Sequence, residues 1–153
     1  MKLGEALSLR AKKAQQLDEL KQRVLANILT QEGEDPAEDP DALISEFERV
    51  SDELSELVEK IARTNIERST SDGENLLTLL HRRETLRRKR NLLSMVANQA
   101  TPTQNQFRWT RTEIKFVTTI DVQARRQAID ELDQEIRALD SKLQETNWQV
   151  DLV

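Results

Sequence analysis

The chain contains no cysteine, which excludes disulfides, thiolate metal sites and a cysteine nucleophile. Glycine and proline occur three times each and aromatics make up only 3% of residues. That scarcity is far from a sandwich or barrel, whose many turns and β-rich segments need such residues. A single histidine, His81, cannot assemble a zinc site alone and has no serine or cysteine partner in a recognisable motif. No long apolar run is present. The opening Met1-Lys2-Leu3-Gly4-Glu5 soon meets Arg10, Lys12 and Lys13, so neither a signal peptide nor a membrane span is expected, and a cytoplasmic location is.

Charge and apolar periodicity fill the space these absences leave. Charged residues are 33% of the chain and hydrophobic residues 37%, with a net charge of -5. A mildly acidic protein is an unpromising general partner for nucleic acid. Apolar residues recur in a 4-3 pattern at Leu43, Phe47, Val50, Leu54, Leu57 and Ile61, and again at Val122, Ile129, Leu132, Ile136, Leu139 and Leu143. Such spacing draws a narrow stripe down one side of a helix, and the stripe must be covered by another helix.

Four helices follow, over about residues 3–30, 40–65, 74–98 and 121–147. The first carries Leu3, Leu7, Ala14, Leu17, Val24 and Ile28 on one face, with Arg10 and Lys21 in the same stripe, and Gly33 suits its C-terminal cap. Asp39-Pro40 forms an N-cap and first-turn pair for the second. Ser71 and Glu74 have capping-box spacing for the third, which shows Leu76, Leu79, Leu80, Leu86, Leu93 and Val96 with Arg83 and Arg90 in its stripe. Asp121 caps the fourth, which ends in a short tail containing Trp148. Residues 104–120 read as an extended segment, since Trp109 to Ile120 is rich in Thr, Ile, Val and aromatics; inside the chain its candidate pairing edge is roughly residues 64–70. The expected architecture is all-α. It is one domain over 1–153, an antiparallel bundle of coiled-coil hairpins with one or two short extended segments.

The acidic loop Glu32-Gly33-Glu34 through Glu38-Asp39-Pro40, the triplet Arg63-Thr64-Asn65 and Asp72-Gly73 resemble landmarks of septicolysin-like bacterial proteins. So do Thr110-Arg111-Thr112-Glu113-Ile114-Lys115, Thr119-Ile120-Asp121-Val122 and Thr146-Asn147-Trp148. The resemblance spans nearly the whole chain. It implies a small helical bacterial protein, most members having no assigned activity, and the family's name suggests a membrane-active cytolysin.

Three local features bear on function. The run Arg82, Arg83, Arg87, Arg88, Lys89 and Arg90 could neutralise phosphates of nucleic acid or anionic lipid. Its simpler use is matching the acidic second helix, with Asp41, Glu46, Glu48, Asp52, Glu53, Glu56 and Glu59, in an antiparallel pair. The loop of Glu32, Glu34, Asp35, Glu38, Asp39 and Asp41 has oxygens for a cation, but its spacing does not match a calcium loop. Trp109 beside Arg108 and Arg111 suits an interface anchor better than a base-stacking platform. Interface candidates are therefore Leu54, Ile136, Trp109, Ile114 and Phe116. No catalytic, cofactor or metal residue is expected. The expected function is a non-catalytic, homo-oligomeric helical scaffold or interaction protein; a cytolysin-like membrane protein and a nucleic-acid binder using residues 82–90 are the alternatives.

Overall fold

A computed structural model describes residues 1–100 and 117–153. Its helices are α1 (Leu3–Asn27), α2 (Pro40–Glu67), α3 (Leu76–Gln99) and α4 (Val122–Gln149), with no strand beyond isolated bridges among the described residues. At 24 to 28 residues each, the helices are about 36–42 Å long. The protein is all-α, and its helices pack as antiparallel hairpin pairs. The chain divides into two compact units, one of Met1–Leu76 with Gln144–Val153 and one of Leu77–Leu143.

In the first unit α1 and α2 run antiparallel: Lys13 reaches Glu53 at 2.5 Å, while further along α1 Arg23 reaches Glu38. The α2 stripe is covered as its spacing requires. Leu43, Val50, Leu57 and Ile61 are buried, Phe47 and Leu54 half-buried, and Thr64 continues the row at 0% exposure. The α1 stripe differs from expectation by one residue in half its positions. Its buried row is Leu3, Ala6 and Leu20, with Leu17 and Val24 packed beside it, whereas Ala14, Lys21 and Ile28 lie exposed. Two frames share Leu3, Leu17 and Val24. The chosen one puts Leu20 against Leu43 and Val50, which removes more apolar area from water than Lys21 could.

Helix α1 also stops at Asn27, short of residue 30. The Asn27 amide donates to the Arg23 carbonyl at 2.9 Å, and its Oδ1 accepts the Glu38 N–H at 3.0 Å. That one side chain satisfies a terminal carbonyl and ties down the loop. Gly33, at φ 90°, serves a separate turn closed from Glu34 N–H to Gln31 carbonyl rather than the helix cap. Asp39 caps α2 through the Asp41 N–H, with Pro40 in the first turn.

The link from α2 to α3 contains a tight turn, and the Ser71–Glu74 capping box is not formed. Helix α3 begins at Leu76, and Thr70 takes the Glu74 N–H on its hydroxyl at 3.1 Å while donating to Asp72. Gly73 at φ 87° closes the turn, and Ser69 bridges Asn75. Residues 64–67 belong to α2, so the expected pairing edge over 64–70 is largely helical.

The ends of the chain complete the first unit. Leu3 N–H donates to the Val150 carbonyl and Leu152 N–H to that of Met1, at 3.0 and 2.9 Å. Lys2 reaches the Asp151 carboxylate at 2.9 Å. Val153 N–H donates to the hydroxyl of buried Thr64 at 3.0 Å. Trp148 belongs to α4 rather than to a tail, and its ring lies over Gly4, where any Cβ would come within 2.9 Å.

In the second unit α3 and α4 form an ion-paired hairpin. Arg90 bonds Asp133 at 3.0 Å, and Arg83, seven residues earlier, bonds Asp140, seven residues later, at 3.2 Å. Seven forward on one helix and seven back on the other is an antiparallel heptad register. Leu79, Leu86, Ile136, Leu139 and Leu143 are the buried rungs around these pairs.

Candidate interaction surface

At the loop end of the α1–α2 hairpin an open groove of about 170 Å³ is lined by Lys21, Val24 and Leu25 of α1 and Ile44 and Phe47 of α2. Residues three and four apart share a helix face, so these five meet along the outer edge of the seam. Val24 and Phe47 turn their inner sides to the Leu20, Leu43 and Val50 core. Leu25 and Ile44 form the rim, 54% and 41% exposed. Lys21 contributes its apolar stem. The lining is entirely apolar, so the groove cannot orient a polar substrate or move a proton. It can accept an apolar side chain, being close in size to cavities of roughly 150 Å³ that take a benzene ring. Ile28 and Leu29, also uncovered, extend the apolar surface toward the loop.

A second uncovered row lies on α3. Leu92 and Met95 are 61% and 67% exposed and three residues apart, beside exposed Arg88 and Lys89.

Charged contacts around the helices set register. Hydrogen bonds from Lys13 and then Arg49 hold the Glu53 carboxyl below its ordinary range, and Arg23 does the same to Glu38. The hydrogen bond and charge of Lys2 lower Asp151. Bonding to Asp133 raises Arg90, and bonding to Glu38 raises Arg23. Lowered carboxyl pKa values mean that the folded state binds fewer protons than the unfolded one. Their contribution is therefore present above the ordinary carboxylate range and lost as pH falls through and below about 4. Asp151→Asn is expected to melt below wild type at pH 7, with a smaller difference at about pH 3, below the ordinary carboxylate range. Parallel melting curves at both pH values would remove the terminal clasp from the stabilising contacts.

Residues 10–152 match a family of unknown function, DUF6847. The chain belongs to that family. The crystal structure of a functionally unknown conserved protein from Corynebacterium diphtheriae is similar over 100% of this chain and 99% of its own, at 38% identity and a TM-score of 0.90. No curated protein matches.

In this DUF6847 chain the residues singled out from sequence fall in different places. Leu54 is half-buried in the α2 stripe and Ile136, 9% exposed, is a rung of the α3–α4 hairpin, so both are internal to their hairpins. Trp109, Ile114 and Phe116, with most of the expected extended segment 104–120, lie outside the described residues. The basic run is corrected in its partner. Arg82, Arg83, Arg87 and Arg90 bond Glu135, Asp140, Asp140 and Asp133 of α4, not the acids of α2. The α2 acids Glu46 and Glu53 instead meet Arg49 of their own helix, and Glu53 also meets Lys13. Among the described residues Arg88 has only its helix neighbour Glu84, at 3.5 Å. His81 is exposed, as most of the acidic loop is. Among the described residues no group of three or more His, Cys, Asp or Glu is placed to hold a metal ion, and no helix is long and apolar enough to cross a membrane. The groove was missed because Leu25 and Ile44 sit beside the stripes rather than in them. An apolar residue off the stripe was the available signal.

Proposed function

We propose that this DUF6847 protein is a non-catalytic helical scaffold of the cytoplasm that works by associating with further copies of itself. The observation that carries the reading is the apolar groove with its uncovered rim, Leu25, Ile28, Leu29 and Ile44, on a hairpin whose other outer positions are mostly polar. Exposed apolar side chains grouped at one end of a hairpin gain by being covered, whereas scattered ones need no partner. The arginines of α3 favour this reading over nucleic-acid binding, since four of them already have carboxylate partners on α4.

Gel filtration with light scattering tests it. The expected result is a mass that is a multiple of the 17.7 kDa chain; a monomer at high concentration would end the proposal. Kinship with septicolysin-like proteins belongs to the same proposal. Dye release from anionic vesicles checks the activity that name suggests, and an associating scaffold is expected to cause none.

A further inference from the structure

Resting on the associative reading, we propose which surfaces join: the α3 row of Leu92 and Met95 in one copy seats in the α1–α2 groove of the next. Each surface is apolar at its centre and charged at its margin, with opposite signs. Asp18, Asp41 and Glu48 lie three or four residues from the groove positions Lys21 and Ile44, all three exposed and without an ion pair among the described residues. Among the described residues that line the groove Lys21 is the one cation, leaving the margin acidic. Beside Leu92 and Met95 stand Arg88 and Lys89. Lys89 has no ion pair among the described residues, and Arg88 holds only the long contact to Glu84 at 76% exposure.

Like-with-like pairing is disfavoured by the same charges. Groove on groove would oppose two acidic margins, and row on row would oppose two basic ones, an arrangement that costs affinity and association rate. Groove on row matches both. The sizes also agree, because Leu92 and Met95 present two knobs one helical turn apart and a flexible thioether fills an irregular 170 Å³ recess well. Each contact joins two unlike surfaces: where both form between the same two copies the assembly closes as a two-fold dimer, and otherwise it continues as a ring or an open chain.

Two variants that each damage one surface test this. Ile44→Glu blocks the groove and Met95→Glu removes a knob; both positions are exposed, and circular dichroism checks that both variants fold. Each alone is expected to weaken association roughly tenfold or more. Mixed in equal amounts they are expected to form dimers and nothing larger, because each supplies the surface the other has lost. A charge swap gives an independent check. Arg88→Glu with Lys89→Glu should dissociate the assembly, and adding Asp41→Lys with Glu48→Lys should restore it. If the wild type is oligomeric and neither variant changes its mass, or if the mixture stays monomeric, this pairing is wrong while the associative reading stands. A monomeric wild type overturns both.

Discussion

Leu20→Asp is expected to unfold the α1–α2 hairpin, while Lys21→Asp next door is expected to leave it intact. Leu20 is 1% exposed among Leu43 and Val50, with no cationic side chain in that cluster. An unpaired carboxylate there costs about 3–5 kcal/mol, a large share of a total of roughly 5–15 kcal/mol. Lys21 is exposed, and surface changes of this kind stay within about 0.5 kcal/mol. Thermal melting should show Leu20→Asp lowered by roughly 6–20 °C and Lys21→Asp nearly unchanged. The reverse order would mean that α1 presents its other face. Leu54→Asp and Ile136→Asp are expected to be milder than Leu20→Asp. Leu54 is only half-buried, and a carboxylate at 136 lies one turn from Asp140, where Arg83 and Arg87 already converge.

The second large effect is a change of sign. Gly4 is the second residue of α1, where alanine would ordinarily favour the helix by about 1 kcal/mol. Here an added Cβ meets Trp148 Cδ2 at 2.9 Å, Cε2 at 3.0 Å and Cε3 at 3.1 Å. Cδ2 and Cε2 are the ring-fusion carbons and Cε3 adjoins them, so the whole indole has to lift off the α1 backbone. Gly4→Ala is therefore expected to destabilise the first unit by about 1–3 kcal/mol. In a Trp148→Ala background the same substitution is expected to be neutral or stabilising. Denaturant titration of the four proteins measures this coupling, and equal effects in both backgrounds would mean the ring does not press on Gly4 in solution.

Both predictions turn on residues that sequence reading passes over. Gly4 has no motif around it, and its partner lies 144 positions away in the chain. Leu20 follows the stripe only in one of two frames that share Leu3, Leu17 and Val24. The 4-3 spacing of α2 and α4 was unambiguous, and so were the Asp39-Pro40 and Asp121 caps, because each depends on residues within one or two turns. The basic run was legible as a register device, yet its partner was not. Acids at Glu46 and Glu53 in α2 and at Asp133 and Asp140 in α4 stand at the same seven-residue spacing, so charge alone matches Arg83 and Arg90 to either helix.

By itself, then, the order of residues determined four helices, most of their limits and the rows that α2, α3 and α4 bury, because propensity, capping and amphipathic period act over a few neighbouring positions. Tertiary structure decided which hairpin each row closes, where α1 ends, which apolar side chains are left uncovered and how the chain ends lock over Thr64 and Gly4. Those outcomes depend on distant groups competing for the same partners, and the winning arrangement is set by total area and charge covered rather than by any local signal.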